Sequence, residues 1–130
     1  MKFTTTTALL SGLSGALAAD GIFSITGTGQ TGSPSTVSLQ VLNGVVGEAP
    51  KCSGTALTTP LPGSGTIPCV QGYALTFHWN SIHEGISATY TNPTNTFTYN
   101  VPNNGCDANN LCQFGFTNNF PGRKARALRV

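Results

Sequence analysis

In four stretches of the chain apolar residues recur at every second position, a period that suits strands and excludes helices. Val37, Leu39 and Val41 alternate with Ser38 and Gln40. Tyr73, Leu75, Phe77 and Trp79 alternate with Ala74, Thr76 and His78. Ile86, Ala88 and Tyr90 alternate with Ser87 and Thr89, and Phe97, Tyr99 and Val101 with Thr98 and Asn100. Alternation sends one residue set to a core and the other to solvent. The β-branched and aromatic side chains fit a pleated, half-buried surface. Ile22-Phe23-Ser24-Ile25-Thr26 adds a short strand candidate. Turn residues punctuate these runs: Gly32-Ser33-Pro34, Asn43-Gly44, Leu61-Pro62-Gly63, Asn92-Pro93 and Pro102-Asn103-Asn104-Gly105. No window of a dozen residues carries a helical stripe. The expected fold is all-β, a small antiparallel barrel or sandwich. Two stretches stand apart from it. Thr55 to Pro68, rich in Thr, Pro and Gly, reads as a long loop, and residues 120–130 read as a disordered basic tail.

The ends of the chain bear on its compartment. Lys2, the apolar run Ala8-Leu9-Leu10 to Leu13, and Ala16-Leu17-Ala18-Ala19 form the pattern of a secretory signal peptide. Cleavage is expected after Ala18, with Ala19 the near alternative. The stretch is too short and too broken for a bilayer span, which needs ~20 mostly apolar residues, and no membrane association is expected. Residues 19–119 then make one domain, of a size that holds a single core but gains from crosslinks. Cys52, Cys69, Cys106 and Cys112 all follow the signal, and an even count in a small exported chain reads as two disulfides. Of three possible pairings, Cys52–Cys69 with Cys106–Cys112 is favoured because both close short local loops. The spacings are wider than the two-to-four-residue pairs of zinc sites, so no metal is expected.

From Asp20 to Asn119 the chain has one base, Lys51, against Asp20, Glu48, Glu84 and Asp107, whereas Arg123, Lys124, Arg126 and Arg129 crowd the end. The overall basic balance belongs to the tail. The domain has no field for gripping phosphates, and no nucleic-acid partner is expected. The tail itself reads as a solvated terminus.

Candidate chemistry is thin. Gly27-Thr28-Gly29-Gln30-Thr31-Gly32 matches the dinucleotide-binding glycine spacing, but that chemistry needs a helix after the glycines. Here an alternating strand follows, so a flexible loop is expected, with no cofactor. His78 and His83 lie five apart and would face opposite sides of one strand unless residues 80–85 turn. No serine sits in a nucleophile elbow, and no base with an orienting group accompanies one. No catalytic residue is therefore assigned, and the chain reads as a non-enzyme. The acids Glu48 and Glu84 leave only a weak secreted hydrolase as an alternative. Tyr73, Phe77 and Trp79 form an aromatic row that reads chiefly as core. The same row is also the candidate contact for a small aromatic or phenolic ligand.

The order of these features resembles the secreted fungal β-barrel family typified by the major allergen of Alternaria, whose relatives include elicitors of plant defence. The resemblance runs through Ile22-Phe23-Ser24-Ile25, the strand into Asn43-Gly44, Cys52 to Cys69, Tyr73 to Trp79, Phe97-Thr98-Tyr99-Asn100-Val101-Pro102 before Cys106, and Cys112-Gln113. It implies a compact barrel, local pairing of both cysteine pairs, no established catalytic residue, fungal origin and export. It also implies contact with plant or animal host proteins and with flavonoid-like molecules. Two departures stand out. No cysteine precedes Cys52, so the family's disulfide-linked dimer is not expected. After Phe114-Gly115-Phe116 the clear final strand of the family is expected to be missing, giving way to Asn118-Asn119-Phe120-Pro121-Gly122 and the basic tail, so that either an edge is left open or this end of the chain is atypical. The expected function is that of an effector, elicitor or allergen-like binder of host extracellular proteins.

Overall fold

The structure, a computed structural model, describes residues 20–121. Except for residues 120 and 121, of which Phe120 belongs to a strand rather than to a tail, the tail expected over 120–130 lies outside the described residues, and so does the signal-like segment. Nine strands and no helix are found among them: β1 Gly21–Gln30, β2 Ser35–Val45, β3 Cys52–Thr58, β4 Gly63–Ile67, β5 Ala74–Trp79, β6 Ile86–Thr91, β7 Thr96–Val101, β8 Asn103–Cys106 and β9 Leu111–Phe120. They form a five-stranded sheet, ordered β3-β2-β1-β9-β8, and a four-stranded sheet, ordered β4-β5-β6-β7. The pairs β2–β3, β4–β5, β5–β6, β6–β7 and β8–β9 are antiparallel.

The chain divides into two compact units: residues 24–42 and 49–117, and residues 20–23, 43–48 and 118–121. The larger is an all-β sandwich. Its alternating strands behave as their period requires. Leu75, Phe77 and Trp79 on β5, and Ile86, Ala88 and Tyr90 on β6, are buried with Ile25, Val37, Leu39, Val41, Val101 and Phe114 from both sheets. The disulfides Cys52–Cys69 and Cys106–Cys112 each join residues that face one another across paired backbone. In the smaller unit Val46 N–H donates to Asp20 O at 2.8 Å, and Glu48 Oε1 accepts from Val45 N–H at 3.1 Å. Val45, Val46 and Phe120 are exposed there.

Local chemistry explains the turns. Ser35 Oγ bonds both Gly32 N–H and Gly32 O at 3.1 Å, closing the β1–β2 connection. Asn92 Oδ1 accepts from Thr94 and Asn95 N–H at 2.9 and 2.8 Å, an Asx turn between β6 and β7. Asp107 Oδ1 does the same for Asn109 and Leu111 N–H at 2.8 and 3.0 Å.

The structure corrects five sequence readings. Thr55 to Pro68 is not a long loop, because it contains most of β3 and all of β4, joined by Thr59–Pro62. Nor are the glycines Gly27 and Gly29 a flexible loop, since they lie inside β1. A Cβ on Gly29 would stand 2.7 Å from ring carbons of Phe114 and Trp79, so glycine there makes room for two core rings. Strand β2 runs through Asn43-Gly44 and the chain turns later, at Gly47, whose φ of +97° favours glycine. Pro102 to Gly105 is not a turn either; beyond Pro102 the chain enters β8 of the other sheet. Finally, the strand expected to be missing after the last cysteine is present, because β9 continues through Asn118 and Asn119 to Phe120.

Candidate functional site

Alternation gives the four-stranded sheet an outer face, and register turns that face into ordered rows. Thr66, Thr76, Thr89 and Thr98 stand side by side across β4, β5, β6 and β7. A second row holds Ser64, His78, Ser87 and Asn100 in the same strand order. Neighbouring strands lie about 4.8 Å apart and alternate residues of one strand about 6.7 Å apart, so the rows form a grid of short polar groups. Hydrogen bonds within the grid fix several rotamers: Thr89 to Thr98 at 3.3 Å, Thr91 to Thr96 at 3.1 Å, and Ser64 Oγ to His78 Nδ1 at 2.8 Å. An open depression of ≈480 Å³ lies over Ser64, Thr66, Thr76, His78, Ser87 and Thr89. Strands β4 to β7 contain no Asp, Glu, Lys or Arg. On β5 and β6 the residues alternating with the grid are core, which backs the middle of the face with packed side chains.

The aromatic row of β5 does not form a platform. Trp79 is fully buried, edge-on to Phe114 at 5.1 Å between centroids. Phe77 is buried opposite Gly65 of β4, where a Cβ would meet its ring at 2.8 Å. Tyr73 is half-buried, stacked on Tyr90 at 6.2 Å, with Lys51 Nζ 5.5 Å from its ring centre. The rings thus serve packing and one cation–π contact. Trp79 Nε1 is buried without a hydrogen-bond partner.

The titratable candidates are dispersed. Glu84 Oε1 accepts from Asn80 Nδ2 at 3.1 Å within the β5–β6 connection, and Glu48 holds a turn of the smaller unit. His83 is exposed in the β5–β6 connection. No group of three His, Cys, Asp or Glu side chains suited to a metal occurs among the described residues. The Ser64–His78 contact joins a hydroxyl to an imidazole, but an activated nucleophile also needs its base oriented by a third group. Glu84 lines a depression shared with His78 and accepts from Asn80, while Asp107 holds the turn between β8 and β9.

Sequence reasoning missed Ser64 and Thr66 because their segment read as a loop. The outward positions of β5, β6 and β7 were legible from alternation, but the register aligning them was not. Comparison of the chain with family models, with curated proteins and with solved structures found no match.

Proposed function

We propose that this chain is an exported, non-enzymatic binding protein of effector or elicitor type, which engages extracellular host proteins through the outer face of its four-stranded sheet. The observation that carries this reading is the charge-free grid of hydroxyl, amide and imidazole groups held rigid by the core beneath it. Depletion of charge at the centre of a patch is a compositional mark of protein interfaces. Short polar side chains supply hydrogen bonds at low conformational cost, as Ser and Asn do in antibody paratopes. Export is supported by the signal-like N-terminus and by two disulfides, which persist in oxidising compartments. Fungal origin and a host partner rest on the family resemblance.

The test is a paired pull-down from plant apoplastic fluid with the secreted protein and with Thr89→Arg, which raises one charge in the middle of the grid. A partner retained by the native protein and lost by the variant, at equal melting temperature, is the expected result. Recovery of no partner, together with no defence response in infiltrated leaves, overturns the reading. A partner bound equally by both proteins moves the binding surface elsewhere and overturns the assignment of the face.

A further inference from the structure

Four connections of the larger unit meet around one cleft: β1–β2, β3–β4, β5–β6 and β8–β9. Its volume is ≈380 Å³, within the ~300–1,000 Å³ of ligand pockets. Binding residues concentrate on loops that a rigid scaffold positions, and these loops are tied to one another and to the strands. Ser35 Oγ holds Gly32 at 3.1 Å, and Gln30 Nε2 donates to Asn109 O at 2.6 Å, joining the end of β1 to the β8–β9 turn. Asn103 Nδ2 donates to Ile82 O at 2.8 Å, and the Cys106–Cys112 bridge packs against the same carbonyl. Thr59 Oγ1 donates to Pro62 O at 3.3 Å within the β3–β4 connection. The cleft is therefore formed before any ligand arrives.

Its lining carries no charged side chain and no aromatic ring. Pro60, Leu61 and Ile82 make it apolar on one part, and Thr31, Asn80, Ser81 and Asn110 add hydroxyls and carboxamides. The side chains of Thr31, Ser81 and Asn110 make no hydrogen bond among the described residues. Asn80 engages its Nδ2, which donates to Glu84 Oε1 at 3.1 Å, and keeps its carbonyl oxygen. Hydroxyls and carboxamides both donate and accept.

We infer that this cleft binds a neutral saccharide. Sugar hydroxyls likewise donate and accept, and the C–H face of a sugar ring suits Pro60, Leu61 and Ile82. An ionised ligand would lose water without meeting a counter-charge in the lining, and a hydrocarbon would cover Thr31, Ser81 and Asn110 without giving them a partner. A flat aromatic would find no ring to stack on. The saccharide is either a free oligosaccharide or the chain end of an insoluble polysaccharide, which share this chemistry. The cleft has no residue in common with the depression over the grid. The inference goes beyond the sheet-face reading and stands without it.

Isothermal titration calorimetry of the secreted protein with gluco-, xylo-, manno- and N-acetylglucosamine oligosaccharides, and with an oligogalacturonide as acidic control, tests the inference. At least one neutral series is expected to bind, and the oligogalacturonide is not. Ser81→Ala and Asn110→Gly each remove one polar group, the second at a φ of +65° that glycine also adopts. Each is expected to weaken binding about fivefold, the equivalent of one hydrogen bond. Pelleting with the insoluble polysaccharide of the bound series separates the two sources. Protein that pellets and is released by the soluble oligosaccharide recognises chain ends, and protein that stays in solution recognises free sugar. No neutral oligosaccharide bound at millimolar concentration overturns the inference, and so does equal binding of the oligogalacturonide or unchanged affinity in either variant. Protein that pellets but is not released by the soluble sugar overturns it too. Should a variant fail to fold, NMR titration of the native protein decides. Amides of Thr31, Gly32, Ser81, Ile82 and Asn110 are expected to shift, and a titration that leaves them unmoved overturns the inference. None of these outcomes depends on a host protein.

Discussion

At Trp79 aromatic burial and hydrogen bonding pull in opposite directions. Its indole is fully buried, yet its Nε1–H has no acceptor. An unpaired buried donor costs ~1–3 kcal/mol, while removing so large a core ring costs ~3–5 kcal/mol. The Trp79→Phe substitution removes the donor and keeps most of the ring, so the two effects largely cancel. Its stability is expected to fall within ~1 kcal/mol of the native protein, against ~3–5 kcal/mol lost by Trp79→Ala. Urea unfolding followed by circular dichroism checks this, and equal losses in the two variants would refute the balance. Gly29 faces the same ring. An added Cβ would lie 2.7 Å from carbons of Trp79 and Phe114, both of them buried and unable to give way. Overpacking of ~1–3 kcal/mol outweighs the ~0.5–1 kcal/mol that alanine gains over glycine in a strand. The Gly29→Ala variant is thus expected to melt several degrees lower in calorimetry, at ~4–8 °C per kcal/mol for a domain of this size. An unchanged or raised melting temperature would show that the two rings do not close on the glycine.

Elements repeat this exchange of volume between neighbours. On β4 the core-facing positions are Gly63, Gly65 and Ile67, opposite Trp79, Phe77 and Leu75 of β5. The ring of Phe77 covers Gly65 on the next strand, a known device for stabilising glycine at sheet edges, whereas Gly63 packs against Thr58. Phe77→Ala should therefore uncover Gly65 and loosen β4 first. Amides of Ser64 and Thr66 are expected to gain more in hydrogen-exchange rate than those of β6 and β7. Uniform acceleration across the sheet would mean that Phe77 supports the core alone. The same device explains what the sequence shows and what it hides. Strands β5 and β6 were legible because their own side chains fill the core and leave a period of two. Strand β4 was not, because its core side is largely glycine and the volume that completes it belongs to Phe77. Gly27 and Gly29 misled for a related reason: they read as freedom, whereas in β1 they are close approach. The rows of the outer face were half legible, since alternation sends Thr76, His78, Ser87, Thr89, Thr98 and Asn100 outward. Only the strand pairing brings Ser64 and Thr66 into line with them.

For the molecule as a whole, crosslinks carry weight that a small chain with few charges cannot obtain from ion pairs. Lys51 is the single Lys or Arg among the described residues, and a surface ion pair contributes only ~0–1 kcal/mol. Each disulfide acts chiefly by restricting the unfolded chain, more strongly the longer the loop it closes. The Cys52–Cys69 bond spans 17 residues and the Cys106–Cys112 bond 6. A loop of the first size stabilises by ~3 kcal/mol, and the second by somewhat less. Out of a typical total of ~5–15 kcal/mol, either is a large share. Both bonds join residues already paired across backbone, so their removal leaves neighbouring side chains in place and exposes mainly the entropic effect. Replacing Cys52 and Cys69 together with serine is expected to lower stability by ~3 kcal/mol. The corresponding change at Cys106 and Cys112 should lower it by less. Guanidinium unfolding read by the fluorescence of Trp79, the single tryptophan of the chain, compares the two directly. If the shorter loop proves the costlier to open, chain entropy is not what these bonds supply. Their contribution would then lie in the folded state, where the Cys106–Cys112 bridge packs against Ile82 O, the carbonyl that accepts from Asn103 Nδ2 at 2.8 Å in the β5–β6 connection.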